Sequence, residues 1–235
     1  MKACYGKLLL LIVCACSLTP ARAQAPAATP HSASRPEEIE WTWEVRPAHP
    51  DPKIPNVLLL GDSITRNYFP EVQKELLNVA NVYLFATSAS VGDPRLARQL
   101  DEFASMENVP FKVVHFNNGM HGWTYSEDEY ESAFPSLLHE LHAIAPSAPL
   151  IWATITPVKS ETLPGPTNAR IDARNRIALA LITQAKILVD DQHELMTHHT
   201  DQYEDNVHFN SAGATIQGRQ AAQFVRAALT ENAHN

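Results

Sequence analysis

The chain has 235 residues, of which 45% are hydrophobic, and this is enough for one sizeable domain plus a tail. Its formal net charge is −8, and this acidic balance argues against nucleic acid or an anionic membrane surface as a partner. No stretch reaches the roughly 18 uninterrupted apolar residues that a membrane-spanning helix needs, so we expect a soluble mature protein with no membrane contact after processing.

The N-terminus has the three-part pattern of a secretory signal peptide. Two lysines precede the apolar run of residues 8–15, and Ala21-Arg22-Ala23 follows as a cleavage-site pattern. We therefore predict that residues 1–23 are a signal peptide and that the protein is exported, either to the periplasm or to the medium. The segment holds three basic residues and no acid, so its removal takes the formal charge from −8 to −11.

All the cysteines of the chain lie in this segment, at Cys4, Cys14 and Cys16, so the mature protein would contain none. Disulfides, thiol chemistry and cysteine-bound zinc are then excluded. A lipid anchor on Cys16 is the weaker alternative to a cleaved signal. We predict no metal site and no other cofactor.

Residues 24–55 are rich in Ala, Pro and Ser, and their repeated X-Pro bonds forbid helix. We predict a linker that leads into an extended N-terminal strap. Within it, the alternation in residues 40–44 resembles either an edge strand or a strap. We expect Trp41 and Trp43 to pack this stretch onto the domain, with stacking on a sugar as the alternative.

From residue 56 onwards, apolar runs alternate with helical periodicity. The predicted strands are residues 56–60, 81–86, 112–116, 150–155 and 187–190. The predicted helices are residues 68–79, 93–106, 127–144, 168–185, and a last one from Asn210 or Ser211 to about 229. This order predicts one α/β domain over residues 56–235, a three-layer α/β/α sandwich with a flavodoxin-like, five-stranded parallel sheet.

The first strand runs straight into Gly61-Asp62-Ser63. A parallel sheet binds ligands at the carboxyl edge of its strands, where the backbone N–H groups that begin a helix can stabilise developing negative charge. Ser63 is therefore a candidate nucleophile. The alternative is that Asp62 and Ser63 only cap the next helix.

Asp205 and His208 stand close together just before the final helix. Two intervening residues in a turn can set a carboxylate against one imidazole nitrogen and leave the other nitrogen facing a hydroxyl. A helix cap and a surface histidine would produce the same spacing, but the chain order Ser, Asp, His favours a serine triad.

The remaining candidates lie in the loops beside these residues. Arg66 follows the nucleophile and could line the site or merely begin a helix. Trp123 could stack on a sugar, or it could belong to the core or to the rim of the site. Asn117 and Asn118 end the third strand, where turn chemistry also explains them.

Taken together, these blocks resemble the SGNH/GDSL hydrolase superfamily over about residues 55–230. The resemblance implies that Ser63 is the nucleophile, His208 the general base and then acid, and Asp205 the residue that orients it. It implies oxyanion donors from the backbone N–H groups of Ser63 and Gly92, although a plain turn glycine would look the same.

The third conserved block of the superfamily has the pattern Gly-x-Asn-Asp, and the aligned residues here are Gly119-Met120-His121-Gly122. His121 therefore stands where the asparagine that donates to the oxyanion belongs. A neutral imidazole N–H could donate there, or Asn117 or Asn118 could supply the amide. The sequence is similar to a variant bacterial branch with an N-x-G-x-H third block, which implies Asn117 and His121 jointly. Arg66, Asn118 and Trp123 are the substrate-binding candidates.

The resemblance and the predicted export together imply a secreted serine esterase that hydrolyses carboxylic esters through an acyl-enzyme. The expected substrate is a small-molecule or carbohydrate ester, most often an acetyl ester. The alternatives are a non-catalytic carbohydrate-binding protein on the same scaffold and an acyltransferase that uses the same triad.

Overall fold

The computed structural model describes Met1, residues 33–161 and residues 163–232. Apart from Met1, the predicted signal peptide lies outside the described residues, as does the first part of the linker. Among the described residues, no helix combines the length and the apolar character needed to span a membrane.

The described residues form a sheet with helices on both of its faces. The strands are β1 (Thr42–Val45), β2 (Asn56–Gly61), β3 (Asn81–Thr87), β4 (Phe111–Phe116), β5 (Leu150–Ala153) and β6 (Leu188–Asp190). The helices are α1 (Ser63–Glu75), α2 (Arg95–Glu107), α3 (Glu127–Ile144), α4 (Asn168–Gln184), α5 (Gln192–Thr197) and α6 (Ser211–Asn232), with a 3-10 turn at Thr200–Gln202.

The sheet order is β1-β3-β2-β4-β5-β6. Strands β2 to β6 are parallel, which confirms the five predicted parallel strands and their flavodoxin-like order. The sheet has a sixth strand, because β1 pairs antiparallel with β3 and places Trp43 opposite Ala86. The stretch predicted as either an edge strand or a strap is therefore an edge strand, and the sheet is mixed.

Two apolar clusters flank the sheet because its central strands alternate their buried side chains. Val57 and Leu59 of β2 join the cluster that contains α1 and α6. Leu58 and Leu60 point the other way, into the cluster formed with α2, α3 and part of α4. A strand that is buried on both faces reads as a continuous apolar run, which explains why β2 is recognisable in the sequence.

Helix α1 begins earlier than predicted, at Ser63 instead of residue 68. The side chain of Asp62 accepts a hydrogen bond from the N–H of Ile64 at 2.8 Å and so caps the helix. Pro70 was expected at the helix start but lies inside it. The buried face of α1, which includes Tyr68 and Val72, offsets the backbone hydrogen bond that this proline removes.

Candidate active site

Ser63 is placed at the carboxyl end of β2 as the first residue of α1. Its N–H precedes the first intrahelical hydrogen bond, as in any helix N-terminus. The side chain of Asp62 caps the helix. The sequence left open whether Asp62 and Ser63 only cap the helix, and the structure gives that role to Asp62. The Ser63 hydroxyl is left to contact another element of the fold.

That contact is made by His208, which lies in the loop between the 3-10 turn and α6. The Ser63 Oγ and the His208 Nε2 are 2.7 Å apart, although 145 positions separate the two residues. A backbone bridge between Tyr203 and Phe209 closes the loop, and the rings of these two residues stack with centroids 4.5 Å apart. These two contacts therefore fix the turn that carries the His208 imidazole.

Asp205 contacts the His208 ring on the side opposite Ser63. Its Oδ2 lies 2.8 Å from the His208 Nδ1, and its Oδ1 accepts the backbone N–H groups of Val207 and His208, both at 2.7 Å. Burial raises the pKa of Asp205, but the His208 and Val207 N–H groups and the imidazole outweigh it and bring the pKa to about 2.

An ionised carboxylate only accepts hydrogen bonds, so the Nδ1 of His208 carries the proton and Nε2 is free to accept the Ser63 hydroxyl. This arrangement can remove the proton of Ser63 as its oxygen attacks an electrophilic carbon. The structure thus brings together the three residues that the sequence put forward.

The loop after β3 contains Gly92 and is held by Asn118. The Asn118 side chain accepts the N–H of Val91 at 2.8 Å and donates to the carbonyl of Ala89 at 3.0 Å. A Cβ at Gly92 would lie 2.8 Å from the ring of Tyr125, so contact with this ring is sufficient reason for a glycine. Asn118, a substrate-binding candidate, uses both ends of its amide to brace this loop.

Asn117 is buried, and its amide donates to the carbonyl of Ala153 at 2.7 Å. It lines a small pocket of about 10 Å³, which has room for about one water molecule. Three other polar atoms on the cavity wall lack a partner among the described residues, namely Thr156 Oγ1, Gln192 Oε1 and Gln217 Nε2. One of the two N–H donors of the Asn117 amide is thus engaged within the protein.

His121 lies in the loop after β4, and its Nδ1 is 2.8 Å from the Oε2 of Glu37. The other oxygen of Glu37 accepts the N–H of Gly122 at 2.9 Å. Glu37 was not identified from the sequence. It stands 84 positions from His121 in a stretch assigned to linker and strap, and no local pattern marks it.

Arg174 on α4 was also missed. Its side chain is 1% exposed, and its two terminal nitrogens donate to four carbonyl oxygens of the loop. These acceptors belong to Gly119, His121, Gly122 and Tyr125, at 2.8 to 3.3 Å. Burial lowers the pKa of Arg174 to about 10, which leaves the guanidinium charged at neutral pH.

The aromatic candidates contact arginines. The Arg66 guanidinium lies 5.4 Å from the ring centroid of Trp41 and 5.2 Å from that of Trp43, which is 52% exposed. Arg66 therefore joins β1 to the first turns of α1. Trp123 donates to the Met120 carbonyl at 2.7 Å and lies against Arg174, with its ring centroid 4.1 Å from the guanidinium carbon.

Among the described residues no cluster of three or more His, Cys, Asp or Glu side chains is arranged to hold a metal ion.

The sheet order, the helices on both faces and the serine at the carboxyl end of the first parallel strand define the class as an α/β protein with the SGNH hydrolase fold. Within this class, the chain belongs to the GDSL-like lipase/acylhydrolase family, whose sequence model matches residues 59–216. The protein is accordingly an enzyme that hydrolyses ester bonds. The resemblance to the SGNH/GDSL superfamily is confirmed.

Similar solved structures include a GDSL-like lipase from Bacteroides thetaiotaomicron, with a TM-score of 0.59, 17% identity, and coverage of 77% of this chain and 92% of that chain. A carbohydrate esterase family 3 protein from Talaromyces cellulolyticus has a TM-score of 0.58 and 16% identity, over 76% of this chain and 99% of that chain.

A mutant of an acetyl-xylooligosaccharide esterase from Geobacillus has a TM-score of 0.57 and 17% identity, over 72% of this chain and 93% of that chain. At these identities the similarity shows the fold alone. No curated protein matches the chain at a significant level.

Proposed function

We propose that the protein is an exported serine esterase that hydrolyses carboxylic esters, chiefly acetyl esters of carbohydrate, through Ser63, His208 and Asp205. The observation that carries this proposal is the continuous line of contacts from the Ser63 hydroxyl through the His208 ring to Asp205, at 2.7 and 2.8 Å.

In this reaction the Ser63 Oγ attacks the carbonyl carbon of the ester while the Nε2 of His208 takes the hydroxyl proton. Asp205 holds the resulting imidazolium. The tetrahedral intermediate then collapses, the bond to the alcohol oxygen breaks, and His208 returns the proton to the departing alcohol. Water attacks the acyl-enzyme by the same route and releases the acid and Ser63.

The oxyanion of the intermediate needs hydrogen-bond donors. We assign the N–H of Ser63 to this role, because it stands at a helix N-terminus ahead of the first intrahelical hydrogen bond. The N–H of Gly92 is the second donor that the resemblance implies. Asn117 is a candidate for a third donor, since one N–H of its amide donates to Ala153 and the amide carries a second.

The substrate class is drawn from three observations. Two of the structural neighbours are a carbohydrate esterase and an acetyl-xylooligosaccharide esterase by name. The N-terminal pattern predicts export, which would place the enzyme where polysaccharides are met. The half-exposed indole of Trp43 and the Arg66 guanidinium beside it could also contact the ring of a sugar.

The first test is hydrolysis of p-nitrophenyl acetate by the mature protein. Ser63→Ala and His208→Ala should each lower kcat by about 10⁴-fold, because either change removes the proton relay. A fluorophosphonate probe should label Ser63 in the parent protein, as shown by peptide mapping, and should not label the Ser63→Ala variant.

Matched controls are Ser136→Ala and His139→Ala, both at exposed positions of α3, which should leave kcat unchanged. Parental turnover by a folded Ser63→Ala protein would refute the assignment. A screen of acetylated oligosaccharides then identifies the substrate, and release of acetate from none of them would refute the carbohydrate assignment.

The close contact between Ser63 and His208 favours catalysis over the non-catalytic carbohydrate-binding alternative, since sugar binding has no need of an activated hydroxyl. The acyltransferase alternative would be supported if added alcohol acceptors captured most of the acyl group in competition with water.

A further inference from the structure

Glu37 contacts two adjacent groups of the loop after β4 with the two oxygens of one carboxylate. Oε2 lies 2.8 Å from the His121 Nδ1, and Oε1 accepts the Gly122 N–H at 2.9 Å. Both side chains are largely buried, with 30% of Glu37 and 19% of His121 exposed. The residue lies upstream of positions 59–216, to which the family similarity extends.

The stretch that carries Glu37, residues 33–45, is called the strap below. It is fixed to the domain on both sides of Glu37. On one side the Ser34 hydroxyl donates to Asp93 at 2.8 Å. On the other side Glu40 accepts the Ser88 hydroxyl at 2.7 Å and pairs with Arg95 at 2.9 Å. The carboxylate of Glu37 is thus held in position by the segment around it.

The loop is restrained from the opposite direction by Arg174, which donates to the carbonyls of His121 and Gly122. The edge of the Trp41 ring packs on the imidazole, with centroids 5.8 Å apart. The position of the His121 ring is therefore set by contacts on several sides.

The contact with Glu37 also determines which nitrogen of His121 carries a proton. A carboxylate is an acceptor, so Nδ1 is the nitrogen that donates. In the neutral ring Nε2 is then a bare acceptor, and it becomes an N–H donor only when the ring is an imidazolium. The neutral donor that the sequence suggested is therefore not available from Nε2 in this geometry.

The charged groups around His121 favour the imidazolium. Glu37 and Glu40 face it from the strap, and Asp62 faces it from the turn before α1. The guanidinium of Arg174 is the opposing charge and binds the His121 carbonyl. Burial lowers the pKa of His121, but the hydrogen bond to Glu37 and the charges of Asp62, Glu37 and Glu40 outweigh it, so the pKa is raised.

We propose that Glu37 is a positioning residue that holds His121 as an imidazolium, whose Nε2–H is the third oxyanion donor of the esterase. This inference rests on the proposed function and adds to it a residue from outside the family region. A charged donor stabilises an oxyanion more strongly than the amide it replaces.

The test compares Glu37→Gln with Glu38→Gln, whose side chain is the exposed neighbour on the same segment. Glu37→Gln should lower kcat for p-nitrophenyl acetate about tenfold with little change in KM, less than the roughly hundredfold loss expected when a donor is deleted. The fall of kcat at high pH, where His121 loses its proton, should move to lower pH. Glu38→Gln should change neither.

A double-mutant cycle separates positioning from general support of the fold. His121→Gln supplies an amide that does not titrate, so it should abolish the high-pH fall that His121 causes. In this background Glu37→Gln should change kcat by no more than about twofold. Equal effects of Glu37→Gln in both backgrounds would overturn the proposal.

The charge of His121 can also be read without turnover. In ¹⁵N-histidine-labelled Ser63→Ala protein, the His121 signals, identified by their loss in His121→Gln, should titrate at lower pH after Glu37→Gln than after Glu38→Gln. Identical titrations would overturn the proposal while leaving the esterase assignment intact. Parental activity of Ser63→Ala would instead refute the esterase itself, so the two failures are distinguishable.

Discussion

Asp205 differs from most half-exposed carboxylates because backbone N–H groups bind it. Its side chain is 57% exposed, yet both N–H groups of the following turn and the His208 ring donate to it. With its pKa at about 2, Asp205 stays ionised throughout the range in which the fold is expected to work. Acid inactivation of the proposed relay should therefore not reflect protonation of Asp205 until the pH approaches that value.

Asp205→Asn should lower kcat for p-nitrophenyl acetate by about 10⁴-fold, because an amide does not fix the tautomer of His208 as a carboxylate does. Steady-state kinetics at neutral pH checks the loss, and circular dichroism checks that the fold remains. Asp101→Asn, at an exposed site on α2, is the control and should behave as the parent. A loss of less than tenfold would contradict the role given to Asp205.

Local spacing explains which site residues could be predicted. Asp205 and His208 are three positions apart in one turn, so their contact follows from a pattern visible in the sequence. Glu37 and Arg174 contact the His121 loop from 84 and 53 positions away. Such contacts depend on how the strap and α4 are placed in three dimensions, and no short motif records them.

The strap also makes long-range contacts that its sequence does not reveal. Its prolines and small residues predicted linker and extended chain, and the extended conformation is correct for β1. Composition gives no sign of the side-chain contacts that fasten the strap, such as the bidentate pair of Arg35 with Glu129 at 2.6 and 3.0 Å. The strap, whose composition is typical of a linker, is therefore part of the folded domain.

Attachment of the strap should depend on pH through the Glu37–His121 pair. Burial raises the pKa of Glu37, but His121 and the Gly122 N–H lower it overall, so this contribution is lost as pH falls through the lowered value. The pKa of His121 is raised, so its contribution is lost as pH rises through the raised value. Both are fully present between the ordinary values of 4.5 and 6.5.

Hydrogen exchange of residues 33–45, corrected for the intrinsic pH dependence of exchange, should show greatest protection in this window. The protection should fall above it as His121 becomes neutral. In the Glu37→Gln variant the dependence should flatten. Equal protection of the parent strap across pH 5 to about 9 would contradict the ion pair.

Helix α1 shows how packing overrides a local signal. Pro70 marks a helix start in the sequence, yet α1 begins seven residues earlier and continues through the proline. The helix packs against α6 at Gly218, where a Cβ would lie 2.7 Å from the Glu71 Cβ and 2.8 Å from the Tyr68 carbonyl oxygen. The glycine allows α6 to approach α1, the helix that begins at Ser63, closely.

Gly218→Ala should destabilise the protein by about 1 to 3 kcal/mol, because the added methyl group meets backbone and Cβ atoms that cannot rotate away. Urea unfolding followed by tryptophan fluorescence measures the change. The control is Gln223→Ala on the exposed face of α6, which should change stability by less than about 0.5 kcal/mol. An unchanged or higher stability of Gly218→Ala would show that the helices can separate without cost.

For the whole molecule, topology brings together loops that lie far apart in sequence. With β2 between β3 and β4, the loops that follow these three strands lie side by side at one edge of the sheet. The last loop before α6 reaches the same edge through the contact between His208 and Ser63. The alternation of strands and helices was sufficient to predict this convergence.

The elements that were not predicted are short or sit at an edge. Helix α5 has six residues and the 3-10 turn three, which is too few for helical periodicity to appear in the sequence. Whether residues 40–44 form an edge strand or a strap was open, because β1 has only four residues and a partner on one side only.

The strap and the turn that carries Ser63 lie in different parts of the chain, and this separation bears on the pH range of the protein. The family similarity begins at residue 59, so the carboxylate that contacts His121 lies outside the region that matches the family. Under the proposed mechanism, replacement of that one acid would lower the upper pH limit of activity while Ser63, His208 and Asp205 stayed the same.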